Sequence, residues 1–316
     1  MKTPLRLFVS ALLGGQCMNA AAISVDVGMF DFSGRFSSYY ADITSHVKAA
    51  GEAWNSHLQS DAKLNVFVTF TNIDTATGNS TASSYVGNIG SLQIFEQGAA
   101  AEVATGIDPN GAWPDIHINL GIDYLENDLW FDPDPYRRVA EVPDDKVDAA
   151  SVLLHEFGHA LAFNGWRDGT TGSLPGDYAS TFDNMVVAEG NHLYFTVKGA
   201  MREYGDKVPL TFGNYGHLGN DNGLPGADLV SDLMNGVAFN YGDRAFISDL
   251  DIAILADTGV VASSPLDVSI GQAAERALLN AAAPAAVPLP AAAWLFASSL
   301  FGVMGLSRVR KNSNTL

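Results

Sequence analysis

The stretch "VLLHEFGHALAF", Val152 to Phe163, constrains this chain more than any other. Its apolar residues follow a helical period, and His155 and His159 stand four positions apart, so a helix puts both imidazoles on one face. Two imidazoles so placed can converge on one metal ion. Glu156 then points towards the open coordination position, as a general base for water. A catalytic zinc takes three protein ligands, however. Where the third follows closely, a glycine and then a histidine continue the motif; here Ala162 and Gly165 hold those places. A distant segment must therefore return to this helix.

The spacing predicts that the helix runs from about Asp148 to Phe163. "VPDDK" sets acidic residues at its positive end, and Asn164-Gly165 stops it through a left-handed glycine. Upstream, Ile43, Val47, Ala50, Trp54 and Leu58 form one stripe and predict an amphipathic helix over Ile43 to Leu58. "LNVFVTF" (Leu64 to Phe70), "SLQIF" and "DIHINLGID" (Asp115 to Asp123) read as strands. From the metal helix to about Ser248 the chain is dense in Gly, Asn and Asp and reads as loops; "DLDIAILADTG", Asp249 to Gly259, reads as a closing helix with its own glycine stop. Helix, strands and helix followed by irregular chain predict an α+β body.

Both ends carry targeting patterns. Residues 1–22 read as a secretory signal peptide: Lys2 and Arg6, an apolar run from Leu7 to Leu13, then Asn19-Ala20-Ala21-Ala22 as the cleavage zone. Cys17 is the only cysteine and leaves with the signal, so the mature chain has no disulfide despite export. Residues 263–286 are a small-residue, Ala-rich linker. Residues 287–311, "VPLPAAAWLFASSLFGVMGLSRVRK", combine a proline-bearing motif, an uncharged apolar run long enough to span a bilayer, and a basic end that stays cytoplasmic. Without the five basic residues of the two ends, 12 Lys and Arg face 35 Asp and Glu, a body charge of about −23. Such a charge disfavours nucleic acid and anionic membrane surfaces as partners. The catalytic body spans residues 23–262.

Candidates for the third ligand follow from context. His46 and His57 lie on the early helix and read as solvent-facing; His117 alternates within a strand; His192 adjoins the strand-like "LYFTV". His217 sits among Gly213, Gly216 and Gly219, where the backbone can turn a side chain onto a metal, and Met234 follows in the turn-like "SDLMNG". Asp183 and Glu189 are rivals that would make an aspartate-type or glutamate-type site. Tyr204, Tyr215 and Tyr241 are available to stabilise a tetrahedral intermediate. "GNDNGLPGADLVSD" and "WFDPDP" offer oxygen ligands for calcium, though solvated loops are the simpler reading.

The tail resembles the VPLPA variant of bacterial PEP-CTERM sorting segments. That implies a Gram-negative source, processing by an exosortase-type enzyme, passage of the segment through the inner membrane, and delivery to the cell surface or extracellular matrix, processed or still membrane-anchored. "HEFGHALAF … YGHLG … SDLMNG … ISDLDIAILADTGV" resembles the leishmanolysin-like metzincin proteases, and most closely the PEP-CTERM-tagged zinc metalloproteases of bacteria. The resemblance implies a zincin-like fold, with zinc on His155, His159 and His217, Glu156 as base, Met234 in a methionine turn beneath the metal, and Asp115 to Asp123 as the edge strand of a cleft for protein or peptide substrates. The opposing expectation is a surface-matrix adhesin with an inactive protease-like domain, which would not need Glu156.

Overall fold

The computed structural model describes residues 23–58, 60–237 and 239–260, together with the backbone of 287–288. The expected signal peptide, the linker and, beyond its first two residues, the apolar tail lie outside these residues. Among the described residues no helix is long and apolar enough to cross a membrane.

The chain opens with β1 (Ser24–Phe30), α1 (Tyr40–Leu58), β2 (Lys63–Thr71), β3 (Ala76–Ser80), β4 (Ala82–Ile89), β5 (Leu92–Gln97), α2 (Gly98–Thr105) and β6 (Ile116–Gly121). Two short strands, β7 (Leu129–Trp130) and β8 (Val147–Asp148), lead into α3 (Ala149–Leu161). Beyond it lie β9 (Tyr178–Ser180), β10 (Val186–Glu189), β11 (His192–Phe195), α4 (Lys198–Tyr204), β12 (Val208–Pro209) and α5 (Asp249–Thr258), with β13 (Val287–Pro288) on the edge of β4. The fold is mixed α+β with small mixed sheets.

The main sheet has the order β1-β2-β6-β3, its first three strands parallel and β3 antiparallel to β6. This corrects the expectation for Asp115 to Asp123: β6 is an interior strand, its Ile116, Ile118 and Leu120 buried, and the edge belongs to β3. The expected stripe on α1 is buried as read. His46, expected in solvent, is buried on the same helix, donating from Nδ1 to the Asp42 carbonyl (2.8 Å) while Nε2 accepts from the Asp132 amide (3.0 Å). His57 is half-buried. The region after α3 is less irregular than expected, because it folds a three-stranded sheet, β10-β11-β12, and α4.

α3 is apolar on nearly every side and buried along its length, with His159 alone partly open. Each large apolar side chain it buries contributes roughly 1.5–3 kcal/mol. Trp54 of α1 lies fully buried against it and donates its indole N–H to the Leu154 carbonyl at 2.9 Å. Its ends differ from expectation. The first turn holds no acid of "VPDDK"; Asp148 caps it instead, accepting from the Ser151 amide (3.2 Å) and hydroxyl (2.7 Å). Fully buried, Asp148 is held by Arg138 (2.5 Å) and faced by Arg244 (3.7 Å). The helix ends at Leu161, short of Asn164-Gly165, and Gly165 is not left-handed. α5 matches its reading: Ser248 and Asp251 form a capping box and Gly259 closes it at φ 94°.

Candidate metal centre

One turn of α3 carries His155 and His159 to the floor of a cleft of about 1050 Å³. Their Nε2 atoms are 2.9 Å apart. His217 arrives from the loop that follows β12 and places its own Nε2 2.9 Å from that of His159 and 3.2 Å from that of His155. The far nitrogens of the helix pair are oriented by backbone: Nδ1 of His155 lies 2.6 Å from the Leu233 carbonyl, and that of His159 donates to the Phe163 carbonyl. With protons fixed on Nδ1, both helix histidines turn lone pairs on Nε2 towards the same point as His217. Facing lone pairs at this separation repel one another, and a cation between them removes the conflict. Ligands about 2.0–2.1 Å from a tetrahedral zinc lie roughly 3.3 Å from one another, so the triangle is close to the required size. Neutral imidazoles are also the donor set that zinc accepts. The residues fit zinc.

Electrostatics favour neutral histidines. Burial, then the neighbouring His159, lowers the pKa of His155 to about 3, and burial lowers that of His159 to about 4. His217 is also held well below its ordinary value by burial and by the other two rings. Glu156 lines the same cleft and is almost fully buried; burial raises its pKa to about 8, opposed by the backbone N–H of Gly78.

The return segment is fitted to α3 by missing side chains. Met234 is fully buried against α3, where a Cβ on Gly158 would meet its Sδ at 2.5 Å. A Cβ on Gly236 would meet the Cβ of His217 at 2.7 Å. The Leu218 amide donates to the Met234 carbonyl at 2.8 Å, so the turn and the third histidine are tied backbone to backbone. Gly213 and Gly219 adopt positive φ, +78° and +79°, as a sharp loop here requires. On the opposite wall β3 approaches so closely that a Cβ on Gly78 would lie 2.3 Å from the Glu156 carbonyl oxygen.

The other candidates lie elsewhere. Asp183 is buried under the loop after α3, accepting from the Trp166 amide at 2.8 Å and paired with Arg167 at 3.5 Å. Glu189 pairs with Lys207 on the surface. His192 begins β11, and His117 stacks on Phe67 with centroids 4.2 Å apart. Neither belongs to the group. Of the three tyrosines, Tyr215 and Tyr241 line the cleft, Tyr241 donating to Asp128 at 2.6 Å, whereas Tyr204 bonds Asp228 away from it. Tyr124 was not foreseen: it lines the cleft, and burial followed by the charge of Glu156 raises its pKa above the ordinary phenol value. In the acidic stretches, Asp132 is taken by Arg244 (2.7 Å) and Asp232 accepts from the Met234 amide (2.9 Å).

Comparison of the chain with protein-family models, with curated proteins and with solved structures returns no match.

Proposed function

We propose that the chain is an exported zinc metalloendopeptidase of the metzincin kind, similar to the leishmanolysin-like enzymes, with residues 23–262 as its catalytic body. The observation that carries the reading is the convergence of three imidazole Nε2 atoms, 2.9–3.2 Å apart, beside a buried glutamate in one open cleft. His155, His159 and His217 would hold the metal. Zinc bound there supplies a positive charge that acidifies water and polarises a carbonyl. Glu156 takes the proton of the attacking water and passes it to the departing amine, a role suited to a carboxyl whose burial raises its affinity for protons. Tyr124, partly buried in the same cleft and within the field of Glu156, can donate to an oxygen that gains charge. The β3 wall, Ala76 to Asn79, offers extended backbone along which a peptide can lie as an added strand. Met234, packed against Gly158 and bonded through its carbonyl to the Leu218 amide, would hold the turn that brings His217 to the helix pair.

Casein digestion by the purified protein tests this reading. Chelation abolishes the activity and added zinc restores it; proteolysis that survives chelation would rule out a metalloprotease. On the resemblance of its two ends, the protein is exported from a Gram-negative cell and its tail is removed by an exosortase-type enzyme.

A further inference from the structure

A second polar cluster lies outside the cleft, where α2, β2 and β6 meet. Glu102, on α2, and Asp115, just before β6, are both more than nine-tenths buried. Each carboxylate spends one oxygen on a backbone amide of β2: Glu102 Oε1 accepts from Lys63 at 3.1 Å, and Asp115 Oδ2 from Asn65 at 2.7 Å. The remaining oxygens, Glu102 Oε2 and Asp115 Oδ1, are buried without a donor. Glu102 and Asp115 form one group with Asp108, each offering a carboxylate oxygen within 4.8 Å of the others. Asp108 Oδ1 already accepts from the backbone amides of Asn110 and Gly111 at 2.8 and 2.7 Å.

Buried acceptors without donors cost free energy, and negative ones facing each other cost more. A cation, a shared proton or a bridging water can stand between two carboxylates, and of these only a divalent cation offsets both charges. A proton satisfies two oxygens; here three carboxylates, from α2 and from the loop that precedes β6, come together with the Asp108 end open to solvent. An all-oxygen set of high negative charge and irregular geometry is that of a hard, flexibly coordinated ion, with waters completing six to eight ligands.

We propose that Glu102, Asp108 and Asp115 form a calcium site that clasps α2 to the leading ends of β2 and β6. The site is independent of the zinc centre and of any activity there. It uses neither of the acidic stretches that the sequence offered for calcium. The competing occupant is a proton: without a cation, burial and the Asp115 charge raise the pKa of Glu102 to about 7.

Thermal unfolding of the purified full-length protein, with and without calcium chloride at pH ~8, separates the two, because a shared proton has largely left by then. For a site with a dissociation constant near ~0.1 mM, about 10 mM calcium raises Tm by roughly 5 °C or more. Asp108→Asn, at the exposed rim, folds and lowers that shift; Glu102→Gln removes it. A wild-type Tm indifferent to calcium at pH ~8 but rising as the pH falls towards ~6 would assign the pocket to a proton. A calcium shift undiminished in both variants would place the ion elsewhere. Either result overturns the proposal. Should Glu102→Gln fail to fold, the wild-type titration and Asp108→Asn still decide.

Discussion

Helix α3 and the segment from Thr211 to Gly236 meet at the three-histidine cluster and are held in place by different means. On α3, His155 and His159 are neighbours because of the helical repeat, and the helix is locked by an aspartate cap and by Trp54. The return segment has only a single 3₁₀ turn, Ala227–Leu229, and no long strand. Its position rests on single backbone bonds, such as Thr211 N to the His217 carbonyl (2.9 Å), and on glycines that let it approach without a Cβ in the way. Substitutions on α3 therefore divide into those that change chemistry and those that loosen the helix. Substitutions at the junction misplace the third ligand.

Glu156→Gln gives the largest effect on the helix side. It keeps the shape of the side chain and removes the base, so turnover falls ~10²–10⁴-fold while metal analysis still finds zinc bound. A rate near wild type would move the base to another residue. The next effect concerns the foundation of the helix. Arg138→Ala leaves Asp148 buried at the N-terminus of α3 without its closest cation, a loss of about 3–5 kcal/mol in chemical unfolding. A loss below ~1 kcal/mol would mean that Arg244 alone suffices. The smallest concerns the junction. Gly158→Ala drives a methyl into Met234 and costs about 1–3 kcal/mol as overpacking. Combining it with Met234→Ala should recover part of that loss; strict additivity would show that the two residues do not press on each other.

The same contrast decides how much could be read in advance. α1 and the body of α3 were legible from their local apolar periods, and α5 from its glycine stop. β3 was not, since "ATGNS" has no alternation and is a strand only because it pairs with β6 and closes against Glu156. The end of α3 was misread for a related reason: Gly165 resembles a stop, yet its place is set by close approach to Tyr215 and Gly216 of the returning loop. His46 looked exposed because its partner, the Asp132 amide, lies 86 residues away. Within the site, His217 was legible as a candidate from its glycines, whereas Gly158 and Gly236 carry no pattern until the residues they admit are known. Tyr124 follows β6 in a short irregular turn of helix, where no period announces a residue facing the cleft.

The most direct test is a zinc-binding isotherm on three proteins: wild type, His217→Ala and His192→Ala. Wild type and His192→Ala should each bind one zinc with equal affinity, and His217→Ala should bind it more weakly by orders of magnitude, because two histidines make a poor zinc site. Wild-type zinc affinity in His217→Ala would contradict the three-histidine centre.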